Sequence, residues 1–345
     1  MSVREVLVNS GCTQSTGDPS FFYMKISGKL AGVIVSHIDD FLHAGTDDFE
    51  EQAITPLVQS FSAGRAEEKE FSYVGFQITQ TEEGIVMDQD PYISSLEAPQ
   101  WSVEALKDKK RDLSRSEQTD YRALIGSLNW CVRGTRPELA FEMIELSMKL
   151  KVAKVEDWLK ALKVWKRLKN TDSAILFPDM GDFKSLELIV YSDASFANLD
   201  GVGSAMAYMI FGRNVRTNNT SPLTWKANKV KRIVKSTLAA EGLSLSAALD
   251  DAFYLRRFLE ETLEVVPPIM AYVDNRGLVE NVHSTKLVDD TRLNIDLGAI
   301  KQMLLKEEVT GIQWCSNTEQ VVDVMTKRGA SGEKLRQIMR SGYVN

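Results

Sequence analysis

Four carboxylates, Asp193, Glu241, Asp274 and Asp323, stand where the sequence concentrates chemistry. Asp193 closes the run LELIVYSD, in which Leu186, Leu188 and Val190 alternate with Glu187, Ile189 and Tyr191; this predicts a mostly buried strand with the aspartate at its C-terminal end. Glu241 follows Leu238, Ala239 and Ala240 in a helical pattern. A lone Glu among small apolar neighbours is costly to bury unless it is paired or on a metal. Asp274 ends the apolar run IMAYVD, and Asp323 falls one turn into NTEQVVDVMTKRG, which reads as the last helix but one. A carboxylate there lies near a helix N-terminus, whose dipole favours it. Each has an ordinary use by itself: Asp274 with Asn275 can cap a helix over 277–283, and Asp323 can be a surface aspartate. Together, two at strand ends and two on helices, they form the all-oxygen set that suits a pair of magnesium ions acting on a phosphodiester.

Several elements must position them. The strand over 186–196 is followed by GSAMAYMIFG at 203–212 and PLTWKAN at 222–228, which predict an antiparallel meander. Residues 310–315 make a last strand, and 286–308 a helix with Ile295, Ala299, Ile300, Met303 and Leu304 inward. Lys226, Lys229, Lys231, Arg232 and Lys235 crowd the ten residues before the Glu241 helix. Such a run is either a solvated face or a track for phosphates, and Trp225 beside it reads as core.

Upstream, residues 20–45 predict two strands joined at Ser27 and Gly28, the second leading into Asp39 and Asp40, a pair that usually marks a turn or cap. An amphipathic helix follows over 47–62, with Phe49, Ile54, Leu57, Val58 and Phe61 on one face, then a hairpin over 73–87. A helical block runs from 116 to 170, its N-terminus capped by Ser116 with Thr119 and Asp120, and turn residues cluster at 170–184.

The order strand Asp193, helix Glu241, strand Asp274, helix Asp323 is similar to ribonuclease H. The phrases YSDASFA, WKANK, STLAAE, YVDN and TEQVVDVMTK, in that order, resemble the ribonuclease H domain that closes the Pol polyprotein of copia-type LTR retrotransposons. HIDDF resembles the metal-binding hairpin of reverse transcriptases, and Tyr121-Arg122, Ile125 to Leu128 and Thr135 to Glu138 resemble the thumb and connection of copia Pol.

The resemblance implies an α/β ribonuclease H-like domain at 181–345, a mixed five-stranded sheet with helices. Before it come a partial α+β reverse-transcriptase palm at 1–90 and helical thumb and connection at 91–180. It implies hydrolysis of the RNA strand of RNA–DNA hybrids, with Asp193, Glu241, Asp274 and Asp323 holding two magnesium ions that manganese could replace. Partners would be the hybrid, met by the basic run, and the upstream remainder of Pol, with no membrane and no small-molecule cofactor. Asp39 and Asp40 are expected as a polymerase remnant: an N-terminus cut too late for the third metal-binding Asp should not polymerise. Many copia relatives have Lys-His-Ile-Asp where this chain has Leu293-Asn294-Ile295-Asp296, so no general acid is expected there. The alternative is a non-catalytic nucleic-acid-binding remnant of a decayed or repurposed element.

Composition, 43% apolar and 26% charged, agrees with a soluble globular protein, and 345 residues are enough for two domains of ordinary size or one large one. No apolar run nears the roughly 18 residues of a membrane span, and the start MSVREVLVNS lacks a secretory pattern. Cys12, Cys131 and Cys315 are isolated, which excludes a disulfide framework or zinc spacing. An intracellular setting is expected, in a cytoplasmic virus-like particle or the nucleus. The formal charge of −7 is uneven: residues 1–150 hold 14 Lys/Arg against 24 Asp/Glu, the rest 27 against 24. The acidity therefore sits away from the expected substrate face.

Overall fold

The computed structural model describes residues 2–61, 64, 66–285, 288 and 290–344. The first sheet is β1 (Thr13–Gln14), β2 (Phe21–Ile26), β3 (Lys29–His37) and β4 (Asp40–Gly45), in that order. Helix Val3–Asn9 and the helical stretch from Asp47 to Phe61 cover one face. Gly32 and Gly45 admit the Phe49 ring, which a Cβ at either position would meet at 2.2 or 2.3 Å. That stretch is not one α-helix. Its middle, Glu50–Ile54, widens to a π-turn just before Pro56, which has no N–H to continue the ladder. Phe49, Ile54 and Leu57 point inward as expected, Phe61 is 39% exposed, and Ser62 lies outside the described residues.

The second sheet is β5 (Glu70–Tyr73), β6 (Phe76–Gln80), β7 (Gly84–Asp88) and β8 (Ile175–Pro178). Its last strand is supplied from beyond two short helices, Asp90–Ser95 and Val103–Lys107, and a block of three longer ones, Arg115–Gly134, Ala140–Ser147 and Val155–Lys169. The helix Arg115–Gly134 is capped two residues earlier than the sequence suggests. Ser114 is the cap, accepting from Glu117 N while Glu117 reaches back to Ser114 N.

The third sheet has five strands: β9 (Leu186–Leu199), β10 (Gly203–Asn214), β11 (Thr220–Lys229), β12 (Ile269–Val273) and β13 (Gly311–Trp314). Their order is β11-β10-β9-β12-β13. The first three pair antiparallel, and β12 runs parallel to both β9 and β13. This is the mixed five-stranded sheet that the resemblance implies.

Alternation along β9 divides its side chains between two cores. Leu188 and Val190 face the helices Thr237–Leu263 and Thr291–Leu305, where Leu245, Leu249, Leu293, Leu297 and Ile300 meet them. Ile189 and Tyr191 face the other way, into a core shared with Tyr121, Leu128, Trp158 and Met325. The helical block and the C-terminal segment from Val321 to Val344 thus share the core on one face of the third sheet, and that core runs continuously across residue 180.

Three expectations change here. Asp193 lies inside β9, which continues to Leu199. Asp323 does not open a helix: only the 3-10 turn Asp323–Met325 forms, because Val321, Val322, Val324 and Met325 are all buried and leave no solvent face for longer helix. On Thr291–Leu305 the buried stripe is Leu293, Leu297 and Ile300, with Ile295 69% exposed and Ala299 exposed; Met303 and Leu304 pack partly. Of the range expected as that helix, Lys286, Leu287 and Asp289 lie outside the described residues. No helix among the described residues is long and apolar enough to cross a membrane.

Candidate metal centre

Register brings the first two carboxylates together. Parallel pairing of β12 on β9 ends at Tyr272 opposite Tyr191, and Asp274 and Asp193 each follow two residues later, on the same side of adjacent strands. Glu241 enters from above. The helix Thr237–Leu263 is capped by Ser236, whose hydroxyl accepts from Ala239 N at 3.1 Å. Its first turns carry Ala239, Ala240 and Ser244, small and buried, while Gly242 admits Leu293 and Leu297 of the helix Thr291–Leu305. Ser244 Oγ is 3.0 Å from the Asp193 carbonyl and 3.1 Å from that of Ala207, and accepts from Ser192 Oγ at 3.0 Å. That bond network fixes the helix one turn beyond Glu241.

One ligand oxygen each from Asp193, Glu241 and Asp274 lie within 4.8 Å of one another. Asp193 is fully buried, Glu241 is 3% exposed, and Asp193 Oδ1 and Glu241 Oε2 have no hydrogen-bond partner. Burial, opposed by Lys327 and Thr326, leaves the Asp193 carboxyl raised to about 6. Glu241 is pushed up to about 10 by burial and then by the neighbouring Asp193 and Asp274. Two buried carboxylate oxygens without partners, in a donor set made only of oxygen, fit a hard divalent cation.

Asp323 is not a member of that group of three. It meets the cluster through Lys327, whose ammonium pairs with Asp323 Oδ1 and lies 3.7 Å from Asp274 Oδ2 and 4.0 Å from Asp193 Oδ1. Sequence reasoning misses Lys327, although its i,i+4 spacing from Asp323 is a usable signal. Burial works against that ammonium, but Asp193, Asp323 and Asp274 outweigh it and hold its pKa above the usual lysine range. Thr326 donates its hydroxyl to Asp193 Oδ2.

The centre opens into a cleft of about 790 Å³, lined also by Phe196, Thr237, Asn275, Arg276 and Trp314. The Arg276 guanidinium sits 4.1 Å over the Trp314 ring, and Trp314 Nε1 donates to the Asp274 carbonyl at 3.0 Å. Of the basic run, Lys226, Lys229, Lys231 and Lys235 are exposed, while Arg232 pairs with Asp296. Trp225 is half-buried and donates to Val132 O at 3.1 Å. Asn294 bonds both backbone polar groups of Val288, a latching role unlike that of a proton carrier.

Asp39 and Asp40 form part of the tight β3–β4 turn, where His37 pairs with Asp40 and Ile38 adopts φ 53°. A β-branched residue there is a strained choice. Both aspartates are exposed, and among the described residues they join no group of three metal-ligating side chains.

No family model matches the chain. It is similar to the retrovirus-related Pol polyprotein from transposon RE1 of Arabidopsis thaliana, 27% identical over 80% of this chain and 19% of that protein. The Pol polyprotein from transposon RE2 of the same plant is 24% identical over the same shares. A putative transposon Ty5-1 protein of Saccharomyces cerevisiae is 22% identical over 67% of this chain and 77% of its own length. The chain thus spans 19% of the length of the two Pol polyproteins. Among solved structures, LC11-RNase H1 in complex with RNA/DNA hybrid is 13% identical, covers 39% of this chain and 88% of its own, and has a TM-score of 0.30. Prototype foamy virus protease-reverse transcriptase is 9% identical over 58% and 29%, with a TM-score of 0.29.

Proposed function

We propose, for this homologue of retrovirus-related Pol polyproteins, that the third sheet carries a metal-dependent nuclease that cleaves the RNA strand of RNA–DNA hybrids. The observation that supports this most is the group Asp193, Glu241 and Asp274, gathered within 4.8 Å with two buried oxygens that have no hydrogen-bond partner.

Asp193 and Asp274 would hold the cation between adjacent strands, with Glu241 closing it from the helix. Magnesium bound there, or manganese in its place, would supply Lewis acidity toward a phosphodiester oxygen and acidify a bound water. The chain's own residues do the rest. Ser244 ties the Glu241 helix to the Asp193 and Ala207 carbonyls, and Thr326 engages one Asp193 oxygen while leaving the other without a hydrogen bond and able to serve a cation. Arg276 at the cleft wall and the exposed lysines of the basic run suit the backbone of a duplex. Recognition of that kind reads phosphates and 2′-hydroxyls and not base sequence. Asp39 and Asp40, exposed on their turn and without a third ligating side chain among the described residues, carry no DNA polymerisation here. The setting is intracellular, in a cytoplasmic particle or the nucleus, with the upstream part of Pol as a further partner.

A second reading, a non-catalytic nucleic-acid binder, draws on Lys327, whose ammonium already neutralises part of the cluster. Incubation with end-labelled RNA–DNA hybrid, RNA duplex and DNA duplex in magnesium separates the two. Cleavage of the RNA strand of the hybrid alone supports the nuclease; tight binding of hybrid with no cleavage of any substrate supports the binder.

A further inference from the structure

Lys327 is held too firmly to be an incidental surface charge. The segment that carries it is stitched to β9 at three places: Gln320 Nε2 donates to Ser192 O at 3.0 Å, Thr326 Oγ1 donates to Asp193, and Asn198 Nδ2 donates to Thr326 O at 2.9 Å. The Lys327 N–H closes the turn on Asp323 O at 3.0 Å. The ammonium is thereby delivered to one side of the cluster, in contact with Asp323 and within 4.0 Å of Asp193 and Asp274. Glu241 Oε2 and Asp193 Oδ1, both buried, are left without a hydrogen-bond partner.

We propose that Lys327 is a built-in counter-cation that divides the cluster in two: Asp193, Glu241 and Asp274 take one divalent ion, and a second ion reaches Asp323 only by displacing the ammonium. This rests on the reading of the cluster as a metal site. The physical reason is that Asp323, the carboxylate in direct contact with the ammonium, cannot serve the ammonium and a divalent ion at once without strong repulsion, whereas Asp193 and Asp274 stand at 4.0 and 3.7 Å from it and keep oxygens for the first ion. The hydrogen-bonded pair of Lys327 and Asp323 must therefore break before Asp323 can serve as a ligand. The chain would rest in a one-ion state, and the approach of substrate phosphates, which offer the ammonium another anion, would favour the second ion.

The test is calorimetric and paramagnetic titration of the full chain with manganese alone at fixed pH, comparing wild type, Lys327→Met, Lys327→Arg and the double variant Lys327→Met with Asp323→Asn. The wild type and Lys327→Arg bind one ion in the accessible range. Lys327→Met gains a second, tightened by about tenfold or more. The double variant returns to one. Two ions in the wild type, or equal stoichiometry and affinity in wild type and Lys327→Met, overturns the proposal while leaving the metal site standing. Absence of manganese binding in every protein overturns the metal reading itself. Lys327 is 39% exposed, and a thermal midpoint for each variant, with Lys327→Arg as the charge-keeping control, reports on any loss of fold.

Discussion

Thr326 donates its hydroxyl to Asp193 Oδ2, across the gap between the C-terminal segment and the central strand of the sheet. Both residues are fully buried, so the bond has no water to replace it. Thr326→Val should cost about 1–3 kcal/mol of stability in the metal-free protein, the usual penalty for orphaning a buried acceptor. It should also raise the Asp193 carboxyl above its value of about 6, so that manganese binding at fixed concentration moves to higher pH. Urea unfolding and a pH series of metal titrations check the two effects; a variant as stable as wild type with an unmoved pH midpoint contradicts this role.

Glu241 makes the metal-free protein sensitive to alkali. Its carboxyl is pushed from the usual 4.5 to about 10, so the folded chain keeps a proton that the unfolded chain releases. Stability from this group is complete below pH 4.5 and is lost as pH rises toward 10; Asp193 acts in the same sense between 3.8 and about 6. With chelator present, the thermal midpoint should fall from about pH 5 to about pH 9. Glu241→Gln should flatten that fall and be the more stable protein at about pH 8, while binding metal poorly. Parallel pH profiles for the two proteins would count against the assignment.

Away from the centre, Arg136 and Glu138 form an ion pair in which both side chains are at most 2% exposed. Arg136 also donates to Leu168 O at 3.2 Å and Thr171 O at 3.1 Å, fastening the turn after the first helix of the block to the end of the third. Glu138→Ala leaves a buried guanidinium without its carboxylate and should destabilise by about 3–5 kcal/mol. Denaturant midpoints measure this, and a shift within error of zero would show the pair to be better hydrated than its burial indicates.

How much of this is legible in the sequence differs by residue. Asp193 and Asp274 stand out because each follows an apolar run, but that they lie side by side depends on the parallel register of β12 on β9, which no local pattern encodes. Glu241 is legible for the opposite reason: a charge among Ala239, Ala240 and Gly242 has no cheap way to be buried. Asp323 misleads because VVDV fits a helical stripe, whereas packing of Val321, Val322, Val324 and Met325 against the helical block overrides that weak propensity. On Thr291–Leu305 two apolar stripes share Ile300, and only contact with the Glu241 helix selects the one through Leu293 and Leu297. Alternation in β9 shows that both faces are buried, without showing that the helices upstream of residue 180 cover one of them.

The exposed lysines before the Glu241 helix should act as phosphate contacts of equal standing. Replacing Lys229 and Lys231 by Ala should weaken hybrid binding by a similar factor for any sequence. It should also reduce the slope of log affinity against log salt by about 1 for each phosphate that is no longer neutralised. Arg232→Ala should change the slope less, because its guanidinium is engaged by Asp296. Fluorescence anisotropy across a salt series reads both; an unchanged slope in the double lysine variant would mean a solvated face with no phosphate beneath it.

The central claim is that Asp193 is a metal ligand of a nuclease, and the most direct measurement is hydrolysis of a labelled RNA–DNA hybrid in magnesium by the wild-type chain and by Asp193→Asn. The substitution keeps size and buried position while removing the charge. The account predicts cleavage of the RNA strand alone by wild type and a loss on the order of a thousandfold or more in the variant, several kcal/mol of charge stabilisation. Equal cleavage by the two proteins, or none by a wild-type chain that is folded and binds hybrid, would contradict it.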